Sequence, residues 1–240
     1  MNIPVYYHIP KCGGTYVITK CKEILRFHYH GISAIRVNKN NETLVRCFVR
    51  KNIRELDIDI HDDCLLKYLN DILFITIEPG GIKLRDKILN NISNIHEFMI
   101  IRNLFDRTQS MYNYLTSQAS KHEPTHGVIR DKTFEEYLKN TNYEKNWISS
   151  QFSQDKNILI NKLKNMRIYK IRHIEKAISD CFSACYSDID CSKYNDNLVN
   201  RHENTHKTQK IEVHNIPNEV IQKFLNHNQM DQFIYDSYDI

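Results

Sequence analysis

The stretch His8-Ile9-Pro10-Lys11-Cys12-Gly13-Gly14-Thr15 carries the residues of this 240-residue chain best suited to chemistry. A run of β-branched and aromatic residues ends at Ile9, two glycines follow, and helical spacing opens at Thr15 and Tyr16. A strand that passes through a glycine turn into a helix presents several backbone N–H groups at the helix N-terminus, a concavity suited to phosphate or sulfate oxygens. Gly13 and Gly14 let the backbone come close to such a group, Lys11 adds a positive charge, and Thr15 offers a hydroxyl. Nucleotide triphosphatases place their lysine after the glycines, followed by a Ser or Thr that holds magnesium. Here Lys11 precedes Gly13 and Gly14, which argues against that chemistry.

A second anion site is readable at Arg102-Asn103-Leu104-Phe105-Asp106-Arg107-Thr108-Gln109-Ser110. Arg102 closes an apolar run, and Ser110 falls about two helical turns later. A guanidinium fork and a hydroxyl together hold a phosphate through charge-assisted hydrogen bonds. Alone, this spacing says little. After the first motif, it gains weight as a second anion site.

Taken together, the two strings resemble the sulfotransferases that use 3'-phosphoadenylyl sulfate (PAPS), in particular the carbohydrate 2-O- and 6-O-sulfotransferase branch. There, H-I-P-K-x-G-G-T leads into the loop that binds the 5'-phosphosulfate, and R-x-P-x-x-R-x-x-S binds the 3'-phosphate. This chain matches the second string at Arg102, Arg107, Ser110, Tyr112 and Tyr114, and departs from it at Leu104, where the family carries Pro. Weaker echoes lie at Phe134–Leu138, Asn146–Phe152, Met166–Glu175, His202–Thr208 and Asp231–Tyr235. The resemblance implies that Lys11, Cys12, Gly13, Gly14, Thr15 and Tyr16 surround the phosphosulfate, and that Arg102 and Ser110 hold the 3'-phosphate. It makes Lys207 either a further nucleotide contact or a solvated loop lysine. It implies PAPS as donor, 3',5'-ADP as product and no metal.

Sulfuryl transfer needs an acceptor oxygen or nitrogen in line with sulfur, charge stabilisation on the leaving phosphate, and a base for the acceptor proton. Lys11 is suited to the second task. For the base, the carbohydrate branch uses a His before the 3'-phosphate Arg, and other branches use a Glu. Glu78, at the end of the ILFITI run, is the first choice here. His61, among Asp59, Asp62 and Asp63, is the second, and His8 the third. The acceptor class, whether carbohydrate, peptide or small molecule, stays open. The competing functions are a phosphate-loop nucleotide kinase or hydrolase and a non-catalytic binding protein of the sulfotransferase fold.

These residues have to be positioned by strands at Ile3–Ile9, Ile72–Ile77, Phe98–Ile101 and Met166–Ile171, each a short buried-type run. Val45–Val49 is a possible fifth. Helical spacing follows at 15–27, through Met111, Tyr112 and Leu115, at Phe134–Leu138, Tyr143–Phe152 and His173–Cys185, and near 218–225 and 231–238. Strands alternating with helices predict an α/β fold, a mostly parallel sheet flanked by helices of the P-loop nucleotide-binding type, in one domain over residues 1–240. Residues 26–70 and the polar loop 121–132 are the segments expected to line the acceptor pocket.

A net charge of +4 permits an anionic ligand and does not predict a nucleic-acid surface. Seven cysteines spread along the chain fit reduced thiols better than a disulfide framework, and Cys181, Cys185 and Cys191 lack the paired spacing of a zinc site. No run approaches the roughly 20 apolar residues of a membrane span, and Met1–Tyr7 lacks a signal-peptide pattern. A cytoplasmic protein is expected, with a Golgi-lumenal fragment as the alternative.

Overall fold

The structure is a computed structural model that describes residues 2–59, 61, 63–85, 90, 92, 94–117, 129, 131–140, 145–191 and 215–238. Its centre is a seven-stranded sheet built from β1 (Ile3–Tyr7), β2 (Ile32–Lys39), β3 (Glu42–Arg50), β4 (Leu56–Asp59), β5 (Ile72–Ile77), β6 (Ile95–Ile101) and β7 (Arg167–Lys170). The spatial order is β4-β2-β3-β5-β1-β6-β7. β1 pairs in parallel with both β5 and β6, β6 with β7, and β2 with β4, whereas β3 runs against its neighbours β2 and β5. The sheet is therefore mixed and mostly parallel, as the alternation of strands and helices predicts.

β1 (IPVYY) and β5 (ILFITI) are buried at every position. Strands covered on both faces read as unbroken apolar runs, which is why both are visible in the sequence. β2 and β4 are absent from the sequence-based prediction. β2 (ISAIRVNK) mixes buried and half-buried positions with a central Arg36, and β4 (LDID) has only four residues. The signal for the hairpin is Asn40-Asn41, a two-residue loop in which both residues have positive φ, 52° and 65°. That geometry matches the twist of an antiparallel hairpin, and Asn tolerates it better than most side chains. 3₁₀ turns occupy Asp63–Asp71, between β4 and β5.

The helices are α1 (Gly14–His28), α2 (Leu104–Thr116), α3 (Phe134–Lys139), α4 (Trp147–Phe152), α5 (Lys156–Leu163), α6 (Ile174–Cys185), α7 (Asn218–His227) and α8 (Gln229–Ser237). α5 occupies a stretch for which no helix is predicted. α1 and α6 cover one face of the sheet, where burial first, and the nearby Cys181 of α6 next, push the Cys21 thiol of α1 up. The opposite face carries α4, whose Phe152 packs on Tyr7 at 5.6 Å between ring centroids. The main core is continuous across the sheet and both layers. A smaller apolar cluster joins Leu104 of α2, Phe134 and Tyr137 of α3, and Val220 and Phe224 of α7. All seven cysteines are free thiols, six of them buried, and among the described residues no helix is long and apolar enough to cross a membrane.

Register fixes which residues share a row. Asp57, Arg36, Arg46, Thr76, Tyr6, Phe98 and Arg167 are successive partners across all seven strands. Because side chains alternate along a strand, this row lies on one face. Tyr6 senses Cys12 and Cys21, so the face is the one that α1 covers. His8 and Glu78 lie two residues beyond Tyr6 and Thr76 and so point to the same side, at the carboxyl end of their strands.

Candidate functional site

The turn between β1 and α1 is built on two left-handed residues, Lys11 at φ 66° and Gly13 at φ 82°. Cys12 between them is fully buried and donates its N–H to the Ile9 carbonyl at 3.2 Å. Gly13 is the N-cap of α1, and no side chain caps the helix. The first N–H groups of a 15-residue helix are thus not used by a side-chain acceptor, the usual condition for holding an anion. Gly14 is required by close approach: a Cβ there would sit 2.0 Å from the His8 ring.

His8 extends past β1 and Glu78 past β5, and the β1/β5 register sets them opposite one another. The His8 Nδ1 and Glu78 Oε2 atoms are 2.6 Å apart, with both side chains about four-fifths buried (22% and 19% exposed). A carboxylate bonded to one ring nitrogen fixes the ring's orientation and tautomer and leaves Nε2 available. That Nε2 faces the start of α1 at Gly14. Glu78 itself is held by its own N–H, which donates to the Leu44 carbonyl of β3 at 2.9 Å.

Arg102 follows β6 on the other side of β1. Its backbone contacts the Cys12 thiol, and its guanidinium is near enough to Lys11 to act on its charge. Burial first, and the Arg102 cation second, push the Lys11 ammonium below the usual lysine value. Lys11 Nζ rests over the Tyr114 ring at 4.5 Å. No carboxylate among the described residues forms an ion pair with Lys11 or Arg102. Two neighbouring cations that make no carboxylate ion pair among the described residues, beside a helix N-terminus without a side-chain cap, favour an anion.

Three of the predicted site residues, Lys11, Glu78 and Arg102, therefore come together at the carboxyl ends of three adjacent parallel strands, where open α/β sheets hold ligands. Thr15 is exposed on the first turn of α1. The Tyr16 hydroxyl donates to the Glu175 carboxylate at the start of α6, whose pKa is raised by burial, and so ties two helices together. Burial pushes the Cys12 thiol up to about 11, which makes it a packing group and not a nucleophile. Ser110 is half-buried on the second turn of α2. With Leu104 in place of Pro, α2 is started by Asn103, whose side chain accepts from the Phe105 and Asp106 N–H groups at 3.0 and 3.3 Å. Arg107 is fully buried, 5.1 Å from the Trp147 ring, with Asp231 near it. It belongs to the packing of α2 on α4 and α8.

His61 is set apart from this group. It is exposed, its N–H donates to Asp59 at 3.0 Å, and it follows edge strand β4. β4 stands four places from β1 in the sheet, or about 19 Å at ordinary strand spacing. Lys207 and the loop 202–208 lie outside the described residues, as does most of 121–132. Sequence reasoning missed the His8–Glu78 pair and the Tyr114 ring beneath Lys11. Each depends on strand register or helix placement, for which the one-dimensional pattern carries no signal. Among protein-family models, curated protein sequences and solved structures, nothing matches this chain.

Proposed function

We propose that this chain is a sulfotransferase of the P-loop type that moves a sulfuryl group from PAPS to a hydroxyl or amine of an acceptor. The observation that carries the reading is the convergence of uncompensated Lys11 and Arg102 with the His8–Glu78 pair at one sheet edge, beside an uncapped helix. The fit to a bisphosphate nucleotide rests on these groups: the backbone N–H groups at the start of α1, the space that Gly14 leaves, and two cations lacking carboxylate partners.

In this proposal Lys11 and the α1 N–H groups hold the 5'-phosphosulfate, while Arg102 and Ser110 hold the 3'-phosphate. When bound, the donor supplies the sulfuryl group and a phosphate as leaving group. The protein's part is placement and charge. Lys11, already half-desolvated, stabilises negative charge on an oxyanion more strongly than a lysine in water would. His8 and Glu78 form the proton-accepting unit. Glu78 matters most within it, since its carboxylate both accepts directly and holds the His8 ring in place. No metal ligand set is required by this arrangement.

Calorimetric titration tests the reading. Saturable binding of 3',5'-ADP in the presence of a chelator is expected, weakened about tenfold or more in Lys11→Ala and in Arg102→Ala, since each removes a charge-assisted contact. Transfer of labelled sulfate from PAPS to a panel of sugars, tyrosyl peptides and phenols then identifies the acceptor. Magnesium-dependent binding of ATP in place of 3',5'-ADP would assign the site to a kinase or hydrolase. Tight 3',5'-ADP binding with no transfer to any acceptor would leave a binding protein.

A further inference from the structure

A second concentration of positive charge lies away from that edge. A groove of about 350 Å³ opens between the outer side of α1 and the β2–β3 hairpin. Ile18, Lys22 and Arg26, spaced by four residues on α1, form one wall. Arg36 of β2 and Arg46 of β3 come from the sheet, and Glu55 sits at the rim. Its volume is at the small end for ligand pockets.

The two sheet arginines are direct cross-strand partners. Like charges placed directly opposite in an antiparallel pair destabilise it unless each is compensated. Arg36 is compensated, by ion pairs to Glu55 and to Asp57. Arg46 is not. No hydrogen bond or ion pair reaches it among the described residues, and its Nε is buried without a partner. Thr76, next to Arg46 in the same row, is fully buried and its hydroxyl also lacks a partner. Lys22 faces the groove from α1, 6.0 Å from the Phe48 ring. Burial, together with Arg26, Arg46 and Arg36, pushes its ammonium below the usual lysine value, against the opposing pull of Glu55. Glu23, also in the lining, makes no ion pair with Arg46 among the described residues, and one of its carboxylate oxygens is buried without a hydrogen bond.

Buried polar groups are ordinarily satisfied, yet the Arg46 Nε is buried without a partner among the described residues, while the side chain as a whole is partly exposed in the groove. The arrangement is accounted for if the missing partner is an anion from outside the chain. We propose that this groove is a binding site for a small organic molecule bearing phosphate, sulfate or carboxylate oxygens, with Arg46 and Lys22 as its anchoring cations. The site is separate from the edge formed by Lys11 and Arg102. Lys22 is eight residues along α1 from Gly14, about 12 Å at the helical rise, and the groove opens to one side of the helix while the edge site sits at its end. The phosphate turn and the groove thus share one helix, so occupancy of either bears on α1.

The test uses the full chain carrying Lys11→Ala and Arg102→Ala, so that an anion held at the sheet edge contributes nothing. Inorganic pyrophosphate and citrate are titrated by calorimetry against sodium chloride of equal ionic strength. At least one is expected to bind saturably, pyrophosphate for a phosphoryl or sulfuryl ligand and citrate for a carboxylate. Adding Arg46→Gln should weaken that binding about tenfold or more, as expected for loss of a charge-assisted hydrogen bond, and Lys22→Gln should weaken it by a smaller factor. Lys22 is on a helix surface, so its variant reports on binding even if Arg46→Gln fails to fold. The proposal is overturned if neither anion binds beyond the salt control, or if both variants bind as the parent does. Loss of 3',5'-ADP binding in the Lys11 and Arg102 variants speaks only to the edge site, so the two readings fail separately.

Discussion

Strands β1 and β5 are buried at every residue, whereas β2 and β3 interleave buried and half-exposed positions and carry Arg36 and Arg46 at mid-strand. The two wings of the sheet consequently place charge differently. In the parallel wing both faces are covered, by α1 and α6 on one side and α4 on the other. A charge within a strand is desolvated and needs a partner, as Glu97 of β6 has in Arg85 and Tyr7, whereas His8, Glu78 and Arg102 stand where the strands end. In the hairpin wing α1 leaves a gap, and a strand with one open face tolerates arginines in its middle. The same alternation of side chains thus yields an end-on site in one wing and a face-on groove in the other. Covering layers, more than strand sequence, decide which.

The largest expected effect tests the end-on site. Glu78→Gln should lower sulfuryl transfer by about 10²–10⁴, the range for a positioned base, while 3',5'-ADP binding stays within a few-fold and anion binding in the groove is unchanged. Steady-state rates alongside both titrations check this. A variant with near-normal turnover would remove the base from the parallel wing and leave its edge as an anion cradle alone.

Gly14→Ala should have an intermediate effect with a particular signature. The added methyl meets the His8 ring, which can swing away, so the fold should survive at a cost of about 1–3 kcal/mol. Melting temperature should fall by about 2–4 °C for each kcal/mol. The displaced ring no longer meets Glu78, so turnover should drop by about tenfold or more through lost alignment. Unchanged turnover in a destabilised protein would show that Gly14 serves packing only.

The smallest effect probes the boundary between the wings. Thr76 is fully buried in β5, in the row that joins Arg46 to Tyr6, and its hydroxyl has no partner. Thr76→Val keeps the shape and removes the unsatisfied group, so stability should rise by about 1 kcal/mol, read as a slightly higher melting temperature. A fall would mean that the hydroxyl is satisfied in solution and that the row of polar atoms under α1 works as a unit.

Much of the parallel wing is legible in the sequence because its strands are continuous apolar runs. ILFITI at 72–77 coincides with β5, and the turn from Pro10 to Gly14 falls between β1 and α1. The hairpin wing is less legible. Arg36 interrupts the pattern of β2, β4 is four residues long, and the one clear cue, Asn40-Asn41, lacks the glycine of the strongest hairpin signals. Of the candidate bases, the sequence ranks Glu78, at the end of the ILFITI run, ahead of His61 among its acids. Strand order places one beside β1 and the other four strands away.

By itself the sequence determined the strands of the parallel wing and the glycine turn between β1 and α1, because hydrophobic periodicity and glycine placement act over a few residues and need no knowledge of the rest. Strand order and register belong to the tertiary structure alone. They pair His8 with Glu78, bring Arg102 up to Lys11, and set Arg46 opposite Arg36. Those meetings join residues ten to ninety-one positions apart, and long-range packing of the whole core, not local preference, chooses among the many registers that short strands allow.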